Sequence, residues 1–190
     1  MAHRTLAAIT LWACVLLNVS AASQDIYRNE EFGITLSVSK GLLLCPTPND
    51  EHDHGPVLLL GNTNTKDCSD DLAIHRSIDV FASFNKIEDT KTLARFLKSQ
   101  CTGVFKGNCL PAPPHLGIEG TRSAAGRVNH IDGWIDVVVV TQAGKPDPLF
   151  DSSVPSINYD LHLHTNREHL ENDLRVFRSV LATIRLSPAQ

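Results

Sequence analysis

Residues 26–41 read Ile-Tyr-Arg-Asn-Glu-Glu-Phe-Gly-Ile-Thr-Leu-Ser-Val-Ser-Lys-Gly, and this stretch decides the fold class. From Phe32 to Val38 apolar residues fall at every second position, so one side of a strand is meant for burial and the other is not. Ile26-Tyr27-Arg28 forms a shorter strand before it. The polar Asn29-Glu30-Glu31 turns the chain between the two, and Lys40-Gly41 turns it again. The chain therefore opens as short antiparallel strands.

The same pattern continues outward. Leu42 to Cys45 and Val57 to Leu60 are short apolar strands, separated and followed by polar loops over 46–55 and 62–71. Ile74 to Phe84 predicts a long strand with Ile74, Ile78, Val80, Ala82 and Phe84 on one face. Arg76 breaks the apolar face and Phe81 the polar one, which predicts a sheet covered on both sides. Asp89-Thr90 provides a helix cap, and Leu93, Ala94, Phe96 and Leu97 make an apolar stripe up to Cys101. The Pro-rich 110–114 segment stops that helix. Residues 116–131 predict a hairpin around Gly120 to Gly126, and Asp132-Gly133 is a tight-turn signal. Trp134 to Gln142, with four consecutive valines, is the most apolar strand, and Ser156 to Thr165 is another. Asn166 is expected to cap a closing helix from Arg167 to about Leu186, with Leu170, Leu174, Phe177, Leu181 and Ile184 as its stripe. This order gives an α+β fold on a mainly antiparallel sheet, in one domain over 22–190.

The first two dozen residues carry an address. His3 and Arg4 precede the apolar run Leu6 to Leu17, and Val19-Ser20-Ala21 has the small-residue spacing that a signal peptidase accepts, so residues 1–21 are read as a signal peptide. The run is about 12 residues, short of the roughly 20 of a spanning helix, and no transmembrane segment is expected. Overall, 17 Lys and Arg against 21 Asp and Glu give a net charge of −4. Cleavage removes Arg4 and no acid, so the balance becomes −5 and nucleic acid is not the expected partner. The expected location is periplasmic or secreted.

Cys14 leaves with the signal peptide, and Cys45, Cys68, Cys101 and Cys109 form an even set in a chain bound for an oxidising compartment. Four cysteines allow three connectivities. The preferred one joins sequence neighbours, Cys45 with Cys68 and Cys101 with Cys109, because each pair brackets a loop-like segment.

Three stretches together resemble one family: Tyr27 to Leu36, the following Val38-Ser39-Lys40-Gly41, and the terminal Phe177-Arg178-Ser179-Val180-Leu181-Ala182-Thr183-Ile184-Arg185-Leu186. They resemble the PsbP-like superfamily, which includes photosystem extrinsic subunits and bacterial DcrB-like envelope proteins. Ser39 stands where that family usually has proline, and neither the four cysteines nor the long 46–71 excursion is a family hallmark. The resemblance implies an α/β/α sandwich, an antiparallel sheet covered by helices, and a protein-binding role. It carries over no catalytic residue, since the matching positions build the fold.

Histidine is the sharpest chemical signal. His-x-His occurs at His52 and His54 and again at His162 and His164. On a strand His162 and His164 point to one face with Asp160, about 7 Å apart, a spacing at which two imidazoles can share zinc with a third ligand. The plainer account is a polar strand face under a loop, or an edge strand facing water. Asp50-Glu51-His52-Asp53-His54 offers further donors, and a solvated loop explains them equally well. Asp132, Asp136 and Asp160 read as turn or solvated strand positions. No Gly-x-Ser-x-Gly or phosphate loop is present, and both bridges would leave no free thiol after cleavage, so no catalytic residue and no cofactor are expected. The expected function is that of an exported, non-catalytic binding protein of the bacterial envelope, with a protein or envelope component as partner. Its specific form is an immunity protein against an envelope-targeted toxin. The alternative is a metal-binding protein or metalloenzyme holding zinc on His52, His54, His162 and His164.

Overall fold

The computed structural model describes residues 25–46, 54–61, 68, 76–85, 91–146 and 155–187. The signal peptide, His52, the predicted Asp89-Thr90 cap and most of both polar loops lie outside them.

The opening hairpin is β1 (Asp25–Asn29) against β2 (Ile34–Val38). Its turn is held by the Asn29 side chain, whose Oδ1 accepts from Phe32 N at 2.9 Å. The period-two reading holds, since Phe32, Ile34, Leu36 and Val38 are buried and Thr35 and Ser37 less so. Next come β3 (Leu43–Pro46), β4 (Pro56–Leu59), β5 (Ser77–Phe84), α1 (Leu93–Ser99) and β6 (Leu110–Pro111). The chain closes with β7 (Ser123–Asn129), β8 (Trp134–Ala143), β9 (Ile157–Asn166), α2 (Leu170–Thr183) and β10 (Arg185–Leu186). Among the described residues these strands make two antiparallel sheets, β1-β2-β10 and β3-β4-β5-β9-β8-β7-β6. The fold is thus α+β, as the alternation of strands and two helices predicts.

The large sheet has two unlike faces. On one, Ile78, Val80, Val137, Val139, Leu161 and Leu163 pack against β2 and against Leu174, Phe177 and Leu181 of α2. On the other, Phe96 of α1 covers Val138 and Val140. Helices therefore lie on both faces, as the resemblance implied. No helix of the described residues is long and apolar enough to cross a membrane.

Both preferred disulfides are present. Cys45 pairs with Cys68 and Cys101 with Cys109, at Cα separations of 5.5 and 5.3 Å. The second bridge lies over Gly126 of β7, where an added Cβ would come within 2.6 Å of Cys109 Sγ.

Three boundaries differ from the reading of the sequence. Helix α1 starts at Leu93 behind Thr92, whose hydroxyl accepts from Arg95 N, and it passes into a π-helical turn, Gln100–Val104. No strand forms over 116–122. There Ile118 is an anchor buried in the core, and its amide donates to Ser123 Oγ while its carbonyl accepts from Thr121. The hairpin is instead β7 to β8 across Asp132-Gly133, with Gly133 at φ 91°. Asn166 does not cap the closing helix directly. It ends β9, and its Oδ1 accepts from His169 N, so α2 begins at Leu170 and stops at Thr183, freeing Arg185 and Leu186 to pair with β2.

Candidate functional site: a buried acid–imidazole cluster

Strand β9 is flanked by β5 and β8, so its alternation is read from both sides. Tyr159, Leu161 and Leu163 enter the apolar core, while Asp160, His162 and His164 take the opposite face, as the sequence predicts. The edge-strand reading is thereby excluded. Register brings cross-strand partners to that face: Asp79 of β5 stands opposite His162, and Asp136 of β8 opposite His164.

Asp136 is the hub. It is 2% exposed, one carboxylate oxygen pairs with His164 Nδ1 at 2.7 Å, and the other pairs with His130 Nε2. Because a carboxylate only accepts, each of those ring nitrogens carries the proton. Asp160, 4% exposed, lies 2.9 Å from His162 Nε2. That approach is an ion-pair contact without hydrogen-bond alignment, so Nε2 of His162 has no hydrogen-bond partner, nor has Nε2 of His164 or Oδ1 of Asp79. Aromatic rings close the cluster. Trp134 stacks on His164 with centroids 4.3 Å apart, and Phe105, just after the π-helical turn, meets His162 edge-on at 4.7 Å.

The electrostatics follow from this packing. Burial pushes His162 down, but the carboxylates of Asp160, Asp79 and Asp136 outweigh it and hold the imidazole above its ordinary value. His164 is also raised, chiefly by its hydrogen bond to Asp136. Burial raises Asp79 against the opposing pull of His162. The cluster joins three carboxylates to three imidazoles, so its charge balances when all six groups are ionised. The expectation that Asp136 and Asp160 are solvated positions is corrected here: both are buried, and each is paired with an imidazole, Asp136 with His164 and Asp160 with His162.

The two His-x-His motifs are not brought together through His54. That residue precedes β4, its Nδ1 donates to Ala82 O at 2.7 Å, and its ring stacks between Phe32 and Phe81. Ala82 lies three residues along β5 from Asp79, about 10 Å at strand spacing. Among the described residues no three His, Cys, Asp or Glu side chains gather in a metal-holding arrangement. Phe81, expected beneath a covering layer, is instead 37% exposed and meets His54.

Sequence reasoning missed a second buried ion pair. Arg76, the break on the predicted apolar face just before β5, reaches α2, where its Nη1 donates to both carboxylate oxygens of Asp173 at 2.8 and 2.9 Å, with Thr165 Oγ1 donating to the same carboxylate. The misplaced charge was itself the signal, but nothing in the sequence pointed from Arg76 to Asp173.

Fold and site define an α+β protein of PsbP-like architecture with a titratable cluster on the large sheet, flanked by Trp134 and Phe105. The fold is similar to the solution structure of cyanobacterial PsbP (CyanoP) from Synechocystis sp. PCC 6803, with TM-score 0.51 and 15% identity, covering 93% of this chain and 99% of that one. Also similar are the Saccharomyces cerevisiae Ran-binding protein Mog1p, with TM-score 0.49, 14% identity and coverage of 87% and 97%, and a Mog1 mutant, with TM-score 0.49, 13% identity and coverage of 88% and 98%. No protein-family model matches the sequence, and no curated protein matches it.

Proposed function

We propose that this is an exported, non-catalytic binding protein that meets a protein or envelope component through its outer surface. The observation that carries this reading is where the reactive groups lie. Asp79, Asp136, Asp160, His162 and His164 are packed against one another and line neither of two cavities formed by described residues. One of these, about 430 Å³, lies between the 115–119 loop and α2, and the other, about 380 Å³, lies beside the start of α1. Large apolar side chains are meanwhile left on the surface, Phe81 and Phe84 among them.

The specific form proposed is an immunity protein of the DcrB-like envelope type, acting against a toxin delivered to the envelope. Small size, acidity, export and two disulfides support it. An affinity pull-down with the oxidised chain from envelope extract, at near-physiological salt, is expected to enrich one protein, and a toxin encoded beside this gene would supply the specific form. Enrichment of nothing contradicts the binding reading. Zinc content separates it from the metal alternative. Stoichiometric zinc retained by the wild type and lost from His162→Ala/His164→Ala would favour metal, and full stability without zinc would favour binding.

A further inference from the structure

Charge is unevenly distributed in this acidic chain. From Lys91 to Ile118 there is no Asp or Glu, while Lys91, Arg95, Lys98 and Lys106 all fall in that stretch. The fold places them on α1 and the turns that flank it. Helix α1 turns Phe96 inward over β8 and leaves Arg95 and Lys98 exposed, about 4.5 Å apart along the axis. Arg122, also exposed, lines the same depression as the start of α1. Lys106, exposed, follows two residues after the π-helical turn that continues α1. Arg95, Lys98, Lys106 and Arg122 have no ion-pair partner among the described residues, although carboxylates outnumber cations in the chain as a whole.

The far end of this stretch is rigid. The Cys101–Cys109 bridge ties the turn down, Phe105 N bonds Gln100 O, Gly107 N bonds Cys101 O, and Lys106 is held at φ 50°. A left-handed lysine is costly, so the chain spends folding energy to hold this lysine at the tip of a bridged turn. Close to it in sequence, Val104 is 59% and Leu110 36% exposed.

We infer that the outward face of α1, from Arg122 through Arg95 and Lys98 to Lys106 and Val104, is a docking surface for a carboxylate-rich patch on a partner protein. The inference rests on the binding reading above and names its surface. A net charge of −4 repels an extended polyanion such as nucleic acid or an anionic membrane at long range, whereas a local acidic patch on a protein meets only the complementary cations. The fixed geometry of the bridged turn suits a shaped protein surface better than a fluid headgroup layer.

The test compares Arg95→Glu/Lys98→Glu/Lys106→Glu with Arg28→Glu/Arg167→Glu/Arg175→Glu. Both triples change net charge equally, and all six positions are exposed. The probes are a fluorescent poly-glutamate peptide of about six residues, short enough to act as a local acidic patch, together with phosphatidylglycerol vesicles and a single-stranded oligonucleotide, each read at low and at physiological salt. The wild type and the second triple are expected to bind poly-glutamate, with affinity weakened at least about tenfold in the first triple and by salt. Equal poly-glutamate binding by all three proteins, or none by the wild type, overturns the inference. Tighter binding of vesicles or oligonucleotide that is lost in the first triple overturns the choice of a protein partner. The pull-down separates the two claims. If the first triple captures the wild-type partner undiminished, the surface is wrong and the binding reading stands; if the wild type captures nothing, the binding reading falls and poly-glutamate still decides the surface.

Discussion

The two faces of the seven-stranded sheet are made from the same strands and solve burial in opposite ways. Toward α2 the sheet is dry: Ile78, Val80, Val137, Val139, Leu161 and Leu163 meet Leu174, Phe177 and Leu181, and stability there follows apolar area and shape. Toward α1 the same strands bury Asp136, Asp160 and His162 and half-bury Asp79, and stability there follows protonation. Residues of β5, β8 and β9 alternate between the two faces, and on the α1 side the charged groups share the face with the apolar Val138 and Val140. A one-residue slip would place carboxylates in the dry core, so the pairing of imidazole with carboxylate also fixes register.

Substitutions on the two faces should therefore fail differently. The largest loss is expected from Phe177→Ala on the dry side. This ring is fully buried, and its removal should cost about 3 to 5 kcal/mol by urea unfolding, with the same deficit at every pH. Asp136→Asn on the polar side should cost somewhat less, about 2 to 3 kcal/mol near neutral pH, because His130 and His164 are partly exposed and keep some hydration. Its deficit should shrink as pH rises and His164 loses its charge. A loss that does not vary with pH would erase the contrast between the faces.

The wild type should itself show the polar face in its pH profile. His162 and His164 hold their protons more tightly in the folded state than their ordinary value of 6.5. Their contribution is fully present below that value and is lost as pH rises through the folded values. The raised Asp79 acts in the same direction from 3.8 upward. The midpoint of thermal unfolding should thus fall as pH rises from 6.5 through the folded values, and Phe177→Ala should preserve that slope while Asp136→Asn flattens it. The smallest effect belongs to the outer surface. Phe81→Ser should shift stability by less than about 1 kcal/mol, since the ring is 37% exposed, and should instead reduce capture of the partner if its contact with His54 forms part of the binding face.

Much of the dry face is legible in the order of residues alone. The alternation from Phe32 to Val38, the valine run of β8 and the stripe Leu174, Phe177, Leu181 each signal burial, because apolar period reports which side is inside. The parity of β9 likewise places Asp160, His162 and His164 together. What parity cannot supply is the neighbour. Asp79 and Asp136 join the cluster through the order β5-β9-β8, which is a property of topology, and Asp173 meets Arg76 across 97 positions of sequence. Isolated carboxylates resemble solvated ones until pairing is known, so Asp136 reads as surface when it is the hub. Boundaries slip for local reasons, as with Asn166, which caps a turn three residues ahead of the helix.

The central claim is that the polar face is a self-paired acid–imidazole cluster. An NMR pH titration of the histidine rings in the wild type and in Asp136→Asn tests it most directly. The account predicts that His162 and His164 of the wild type titrate above 6.5, with His164 returning toward 6.5 in the variant. Both rings titrating at or below 6.5, with no change on Asp136→Asn, would contradict it.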